Sequence, residues 1–154
     1  MAQFLVGGAR PKFVTVNGTR AKYVTINGTR VWADEITGTL SASGAAGYGT
    51  SETYQRYENW FTIPAGYTSL QLTAAWISQI YGRVEASVEV VGKATYYGSW
   101  SYTGSGFTGN EPNINTSTVF TGSGLQIHVV VNGYINANVS GAGNESVTVN
   151  FKYW

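Results

Sequence analysis

The chain has 154 residues, 43% of them hydrophobic, which is enough for one domain with a core and a shorter additional element. Charged residues make up only 11% of the chain, the formal net charge is +1, and the absence of cysteine excludes disulfides, thiol nucleophiles and thiolate metal sites. Abundant glycine, tyrosine and tryptophan are typical of all-β proteins, whose turns use glycine and asparagine and whose strands use β-branched and aromatic residues.

The first residues, MAQFLVGGARPK, place an apolar run before the basic residues, which is the reverse of a secretory signal. We therefore expect synthesis in a cytoplasm without secretion by a signal peptide. No apolar run approaches the length needed to cross a bilayer, so we expect no membrane insertion.

A ten-residue repeat dominates the N-terminal part, where residues 11–20 read PKFVTVNGTR and residues 21–30 read AKYVTINGTR. Each copy places Asn-Gly between β-branched residues. This is a strong hairpin signal, because a type I′ turn needs a positive φ at both central positions. The repeat predicts a three-stranded hairpin arm within residues 1–36. Its strands are expected at about 12–16, 19–26 and 29–33.

Two-residue turns would fix the register of this arm. The expected cross-strand pairs are Val16 with Thr19, Val14 with Ala21, Tyr23 with Trp32, and Val24 with Val31. Both faces would then be partly apolar, and so small a meander is marginally stable in water. We expect it to be covered by the body of the chain, by a second subunit or by another protein. The alternative is that these strands belong to the main sandwich.

Charge also separates the arm from the rest of the chain. Residues 1–33 contain five basic residues and no acid, whereas residues 34–154 contain four basic residues and all eight acids. Such asymmetry favours docking between unlike surfaces. Nucleic acid is a weaker interpretation, because the basic residues are spread over both faces. The residues expected to dock the arm are Val14, Arg20, Lys22, Tyr23, Val24, Arg30 and Trp32.

The rest of the chain predicts a joint and a body. Residues 37–52 are small and glycine-rich and are expected to form a flexible joint. Residues 53–154 contain eight or nine strand-like segments separated by short turns, and Asn132-Gly133 offers a further hairpin turn. The clearest alternation, in 83–91, points four small apolar residues inward and Glu85 and Glu89 outward. We expect an antiparallel β-sandwich, jelly-roll-like if the connections cross between sheets.

Candidate catalytic chemistry is sparse. His128 is the only histidine, and a single histidine in a strand is more often packed or solvated than catalytic. Zinc is not expected without a second histidine or a cysteine. The acids show no pair across a cleft such as a glycosidase requires, and the loop 109–115 offers calcium only one carboxylate. We expect no enzyme activity, no cofactor and no metal.

The aromatic segment YYGSWSYTGSGF (96–107) is the best ligand candidate in the sequence. Aromatic rings supply contact area at low entropy cost, and serine and glycine add adaptable hydrogen bonding. The residues expected to contact a glycan are Tyr97, Trp100, Tyr102 and Phe107. Trp100 and Tyr102 would share a strand face, Tyr97 would lie on the other face, and Phe107 would lie in a loop. The alternative is core packing plus a subunit interface.

Two motifs carry a resemblance to a known class of proteins. VTVNGTRAKYVTINGTRVW (14–32) resembles the basic VNG repeats near the ends of many tailed-bacteriophage structural proteins. NWFTIPAGYTSLQL (59–72) is similar to the opening of β-sandwich modules in phage tail and head-surface proteins. The resemblance covers about 35 of the 154 residues. The lack of a long coiled coil or fibrous repeat fits a compact tip, connector or decoration protein better than a long fibre.

The resemblance implies a non-enzymatic virion structural protein. Its arm would attach to other virion proteins, and its sandwich would lie on the virion surface as a tail-tip, fibre or receptor-binding component. Such proteins are commonly trimers, and symmetric closure would cover identical arms, so a homotrimer is expected. A host-surface glycan is a candidate ligand. The alternatives are a head decoration protein and a free carbohydrate-binding module or lectin.

Overall fold

The computed structural model describes residues 6, 14–17, 19–21, 23–27, 29–46, 53–78, 82–102, 107–135 and 143–154. Their regular structure is entirely β, and they include no helix long and apolar enough to cross a membrane. The chain divides into two compact units, Met1–Ile36 with Trp154, and Thr37–Tyr153. The predicted arm ends at the same residue, Ile36.

The described part of the N-terminal unit holds four short strands: β1 (Thr15–Val16), β2 (Thr19–Arg20), β3 (Tyr23–Ile26) and β4 (Thr29–Ala33). The first hairpin has the predicted register, because Val16 lies opposite Thr19 and the Ala21 amide donates to the Val14 carbonyl at 2.7 Å. Asn17 and Asn27 both have φ of 51°. This is the left-handed conformation that the first position of a type I′ turn requires.

The register of the second hairpin differs from the predicted register. Its strands pair Thr25 with Arg30, but the register then shifts so that Val24 lies opposite Trp32. The predicted pairs of Tyr23 with Trp32 and of Val24 with Val31 are therefore wrong. An extra residue in one strand is a β-bulge, which turn chemistry does not reveal. Among the described residues, the arm forms two two-stranded sheets, β1 with β2 and β3 with β4, in place of the predicted three-stranded sheet.

The second unit contains nine described strands. Their bounds are β5 (Ile36–Ala46), β6 (Thr53–Thr62), β7 (Ser69–Ser78), β8 (Arg83–Val90), β9 (Ala94–Tyr102), β10 (Phe107–Asn110), β11 (Phe120–Thr121), β12 (Gln126–Ile135) and β13 (Gly143–Tyr153). One sheet has the order β10-β9-β8-β12-β6 and the other has the order β11-β7-β13-β5. Both sheets are antiparallel and they pack as a sandwich, which confirms the predicted fold class.

The strand order is that of a jelly roll. Consecutive strands change sheets at every connection from β5 to β8 and from β10 to β13, while β8, β9 and β10 are hairpin neighbours. Among the adjacent pairs are β5 with β13, β6 with β12, β7 with β11, and β8 with β9. The body is thus one long wound hairpin, with its tip at β8 and β9 and its ends at β5 and β13. The predicted crossing of connections between sheets is confirmed.

The predicted flexible joint is wrong for residues 37–46, because they lie in strand β5 of a sheet. Residues 47–52 lie outside the described residues. Small residues here serve close packing. A Cβ atom at Gly38 would lie only 2.5 Å from the ring of Phe151, and Leu40 and Ala42 on the same side are buried. The segment resembles a linker in composition because bulky side chains come from the neighbouring strand β13.

The core lies where alternation predicted it. Leu70 and Leu72 of β7 and the inward residues of β8 are fully or almost fully buried, as are Ile127 and Val129 of β12. The predicted turn at Asn132-Gly133 is wrong, because both residues pair with β6 and β8 in the middle of a sheet. Burial of the apolar side of this segment outweighs its local turn preference.

Candidate functional site

The central feature of the five-stranded sheet is His128, in strand β12, which lies between β8 and β6. Its neighbours Ile127 and Val129 point into the core, so alternation turns His128 to the outer side of the sheet. Its backbone partners are Trp60 of β6 and Glu89 of β8. The histidine is nevertheless only 8% exposed, so something on the outer side must cover it.

The cover is the indole of Trp60. The two rings are stacked with centroids 3.6 Å apart and planes at 10°. Trp60 itself is 49% exposed. Because one ring face covers the imidazole, the opposite ring face lies at the surface. The result is a flat aromatic plate with a fixed orientation.

Two carboxylates flank the imidazole. Glu58 Oε2 lies 3.1 Å from His128 Nε2 and 2.8 Å from Arg56 Nη2. Hydrogen bonds from His128 and then from Arg56 hold the pKa of Glu58 below its usual range. An ionised carboxylate only accepts, so Nε2 donates in this contact. Glu89 Oε2 lies 3.7 Å from Nδ1, beyond hydrogen-bond range but within reach of an ion pair when the ring is protonated.

The cluster lies within a wider polar surface. We call this surface the outer face and define it as the exposed sides of β6, β12, β8 and β9. Ser87 lies beside Val130 on one side and Tyr97 on the other. Tyr97 is 71% exposed. Glu85 accepts hydrogen bonds from Arg83 and, at 3.1 Å, from the Tyr134 hydroxyl. Glu58 and Glu89 complete the acids of this surface.

The four predicted glycan-contact residues are not brought together on one face. Trp100 lies opposite the fully buried Val84, so it points inward and is half-buried, whereas Tyr97 points outward. The indole Nε1 of Trp100 is buried and has no hydrogen-bond partner among the described residues. Tyr102 pairs with Phe107 at the end of the β9–β10 hairpin, and neither side chain is among those described. Phe107 begins a strand, so its predicted place in a loop is wrong.

The loop considered for calcium has another role. The Glu111 carboxylate accepts a hydrogen bond from the Ile77 amide, and the Gln71 side chain donates to the Thr116 carbonyl. Asn115 Oδ1 accepts from the amide and hydroxyl of Ser117 at 3.0 and 2.7 Å. The contacts with Ile77 and Gln71 attach the segment to β7, whereas the contacts between Asn115 and Ser117 are internal to the segment. In the part of the chain that the structure describes, no cluster of His, Asp and Glu is arranged to hold a metal.

The predicted docking residues of the arm are described only in part. Tyr23 is 53% exposed, while Val14 and Val24 are half-buried. Arg20, Arg30 and Trp32 lie in strands whose side chains are not described, and Lys22 lies outside the described residues. Their role in docking stays a prediction.

Glu145 was not singled out by the sequence analysis. It shares the inward side of β13 with Val147 and Val149, and it is only 2% exposed. Burial raises the pKa of its carboxyl to about 7. Oε1 has no hydrogen-bond partner among the described residues. The alternation with Val147 and Val149 was the available signal for this inward position.

His128 and Trp60 were missed for a different reason. The outward side of His128 was visible in the sequence, but its cover depends on how β12 pairs with β6, and Glu58 and His128 are 70 residues apart.

Comparison with known proteins finds no family model and no curated protein that matches this chain. The resemblance to phage structural proteins therefore stays a prediction.

Proposed function

We propose that this chain is a non-enzymatic structural protein of a tailed-bacteriophage particle. Its N-terminal unit attaches it to other virion proteins, and its jelly roll lies on the virion surface as a tail-tip, fibre or receptor-binding component. The observation that carries the proposal is the tandem hairpin unit, which is a compact unit of its own and carries exposed apolar side chains. Jelly rolls occur in viral capsid and lectin domains.

The exposed apolar residues support attachment through this unit. Val16, Tyr23 and Ile26 each leave more than half of their surface exposed. Full burial of one large apolar side chain stabilises an interface by about 1.5–3 kcal/mol. Exposed ion pairs contribute only about 0–1 kcal/mol each. Apolar contacts therefore supply most of the affinity, and the basic residues of the repeat set register and association rate.

A homotrimer is the proposed assembly, since symmetric closure covers identical surfaces on every subunit. Light scattering of the purified chain at micromolar concentration tests this part. A trimeric mass is expected, and a soluble, monodisperse monomer would contradict it.

Incorporation into particles tests the attachment role. The full-length variant Tyr23→Ala with Trp32→Ala should fold, give the wild-type melting transition of the jelly roll, and fail to enter particles. Thr25→Ala, an exposed position on the same strand as Tyr23, is the matched control and should be incorporated normally. Normal incorporation of the double variant would reject attachment through the arm.

Two other functions remain candidates. A head decoration protein would use the same arm, and identifying neighbours in purified particles by cross-linking separates the head from the tail. A free carbohydrate-binding module or lectin is favoured by the exposed plate of Trp60 on a jelly-roll sheet. A free lectin would bind its ligand without assembling, so the variant Tyr23→Ala with Trp32→Ala would keep full ligand binding.

A further inference from the structure

We infer that the outer face binds a non-acidic glycan, with Trp60 as the stacking surface and Glu58 and Glu89 as hydrogen-bond acceptors. This inference deepens the proposed display role by naming a ligand class for the sandwich. It is tested on the isolated full chain, so its failure leaves attachment through the arm untouched, and failure of attachment leaves glycan binding untouched.

The first argument is the fixed orientation of Trp60. Stacking on His128 at 3.6 Å holds one face of the indole, and the contact of His128 with Glu58 holds the imidazole in turn. A ligand that covers the other indole face therefore immobilises little additional side-chain freedom, which reduces the cost of binding. A flat apolar ring face suits the C–H face of a pyranose. A sugar that stacks on the indole gains apolar contact through its C–H groups, while its hydroxyl groups stay in water.

The second argument is the hydrogen-bonding character around the plate. Glu58 and Glu89 have 46% and 33% of their side chains exposed. Hydrogen bonds from His128 and Arg56 keep the Glu58 carboxyl ionised, and an ionised carboxylate accepts hydrogen bonds and donates none. These acceptors match a ligand that brings donors, which sugar hydroxyl and amino groups do. Uronic and sialic acids would bring like charge close to these groups, so acidic glycans are disfavoured.

A second aromatic side chain extends the surface. Tyr97 lies on the outer face three strands away from Trp60, across β12 and β8. At the usual strand spacing this is roughly 14 Å. Ser87 and Glu89 lie on β8 between the two rings and add polar groups along that line. The spacing suits a short chain of sugar units that lies across the strands.

A printed array of neutral, amino-bearing and acidic glycans is the direct experiment. The wild-type chain should bind neutral or amino-bearing oligosaccharides and should not bind the acidic ones. Trp60→Ala should weaken this binding about tenfold or more, as truncation of a central aromatic contact does. Trp76→Ala, the same change at an exposed tryptophan of the other sheet, is the matched control and should bind as the wild type does.

Further variants separate loss of binding from loss of folding. Trp60→Tyr keeps an aromatic face and should retain binding, while Glu89→Gln keeps the shape and should weaken discrimination against acidic glycans. Each variant is accepted only if its melting transition matches that of the wild type.

Three outcomes would overturn the inference. They are a folded wild-type chain that binds no glycan on the array, preferential binding of acidic glycans, and a folded Trp60→Ala variant that binds normally. A change in oligomeric mass on Trp60→Ala with no glycan bound by the wild type would instead make the outer face a subunit interface.

Discussion

The carboxylate of Glu145 fills the space in which a side chain at Gly133 would begin. A Cβ atom at Gly133 would lie 1.7 Å from Glu145 Oε2. The two residues belong to β13 and β12, which are in different sheets. A side chain at position 133 therefore requires the Glu145 carboxylate to move, although the Asn-Gly pair to which Gly133 belongs indicates a turn.

Gly133→Ala should destabilise the body by about 1–3 kcal/mol, the usual cost of overpacking. The Glu145 side chain has to move to admit the new methyl group. Glu145→Ala in the same chain should relieve most of this cost, which a double-mutant cycle measured by urea unfolding would record as coupling. Equal costs of Gly133→Ala in both backgrounds would contradict the contact.

Glu145 should make stability depend on pH. Its pKa is raised by burial from 4.5 to about 7, so the protonated form favours the fold. The stabilisation is complete below pH 4.5 and is lost as the pH rises towards 7, because the unfolded chain then releases a proton that the folded chain keeps. At about 1.4 kcal/mol per pKa unit, the body should be about 2–3 kcal/mol less stable at pH 8 than at pH 5.

Glu145→Gln is the test of this pH dependence. The neutral amide has nearly the same shape, so the variant should be more stable than the wild type at pH 8 and should show a much flatter pH profile in urea unfolding. An unchanged profile in the variant would assign the pH dependence to other groups.

Gly38→Ala should destabilise the sandwich by about 1–3 kcal/mol, because its Cβ would lie 2.5 Å from the Phe151 ring. Ser43→Ala, at an exposed position of the same strand β5, is the matched control and should change stability little. Thermal unfolding measures both. If Gly38→Ala were neutral, residues 37–46 would behave as the linker that their composition suggests.

Asn27→Val should destabilise the second hairpin by about 1–2 kcal/mol, because a β-branched residue tolerates the observed φ of 51° poorly. Asn27→Gly removes the same side chain and accepts this φ, so it should preserve the hairpin. Amide hydrogen exchange of Thr25 and Ile26 reports the difference. Equal protection in the two variants would show that the turn does not limit hairpin stability.

Reversal of Arg20, Lys22 and Arg30 to glutamate should slow assembly and change its salt dependence, because charge acts mainly on association rate. The final assembled mass should change little if apolar contacts supply the affinity. Stopped-flow light scattering at two salt concentrations measures the rate. Loss of assembly at every salt concentration would give the charges a larger role than we propose.

Alternation and turn chemistry predicted most of the body, because half-buried strands such as β8 carry their inward side in every second residue. They failed where packing overrides local preference. Residues 37–46 resemble a linker because their small size accommodates Phe151, and Asn132-Gly133 resembles a turn although its backbone pairs with two neighbouring strands. The cluster of Trp60 and His128 was out of reach, since a single sequence does not give the register between strands so far apart.

The neighbouring positions of β5 and β13 have a consequence for the order of folding. Thr39 and Asn150 are hydrogen-bonded at 2.8 Å although they are 111 residues apart in the chain. A ribosome must therefore release the chain through β13 before the edge strand β5 finds its neighbour. Long-range pairings of this kind form slowly. A product truncated before β13 leaves β5 without its place in the sheet, so the sheet is complete only in chains that include β13.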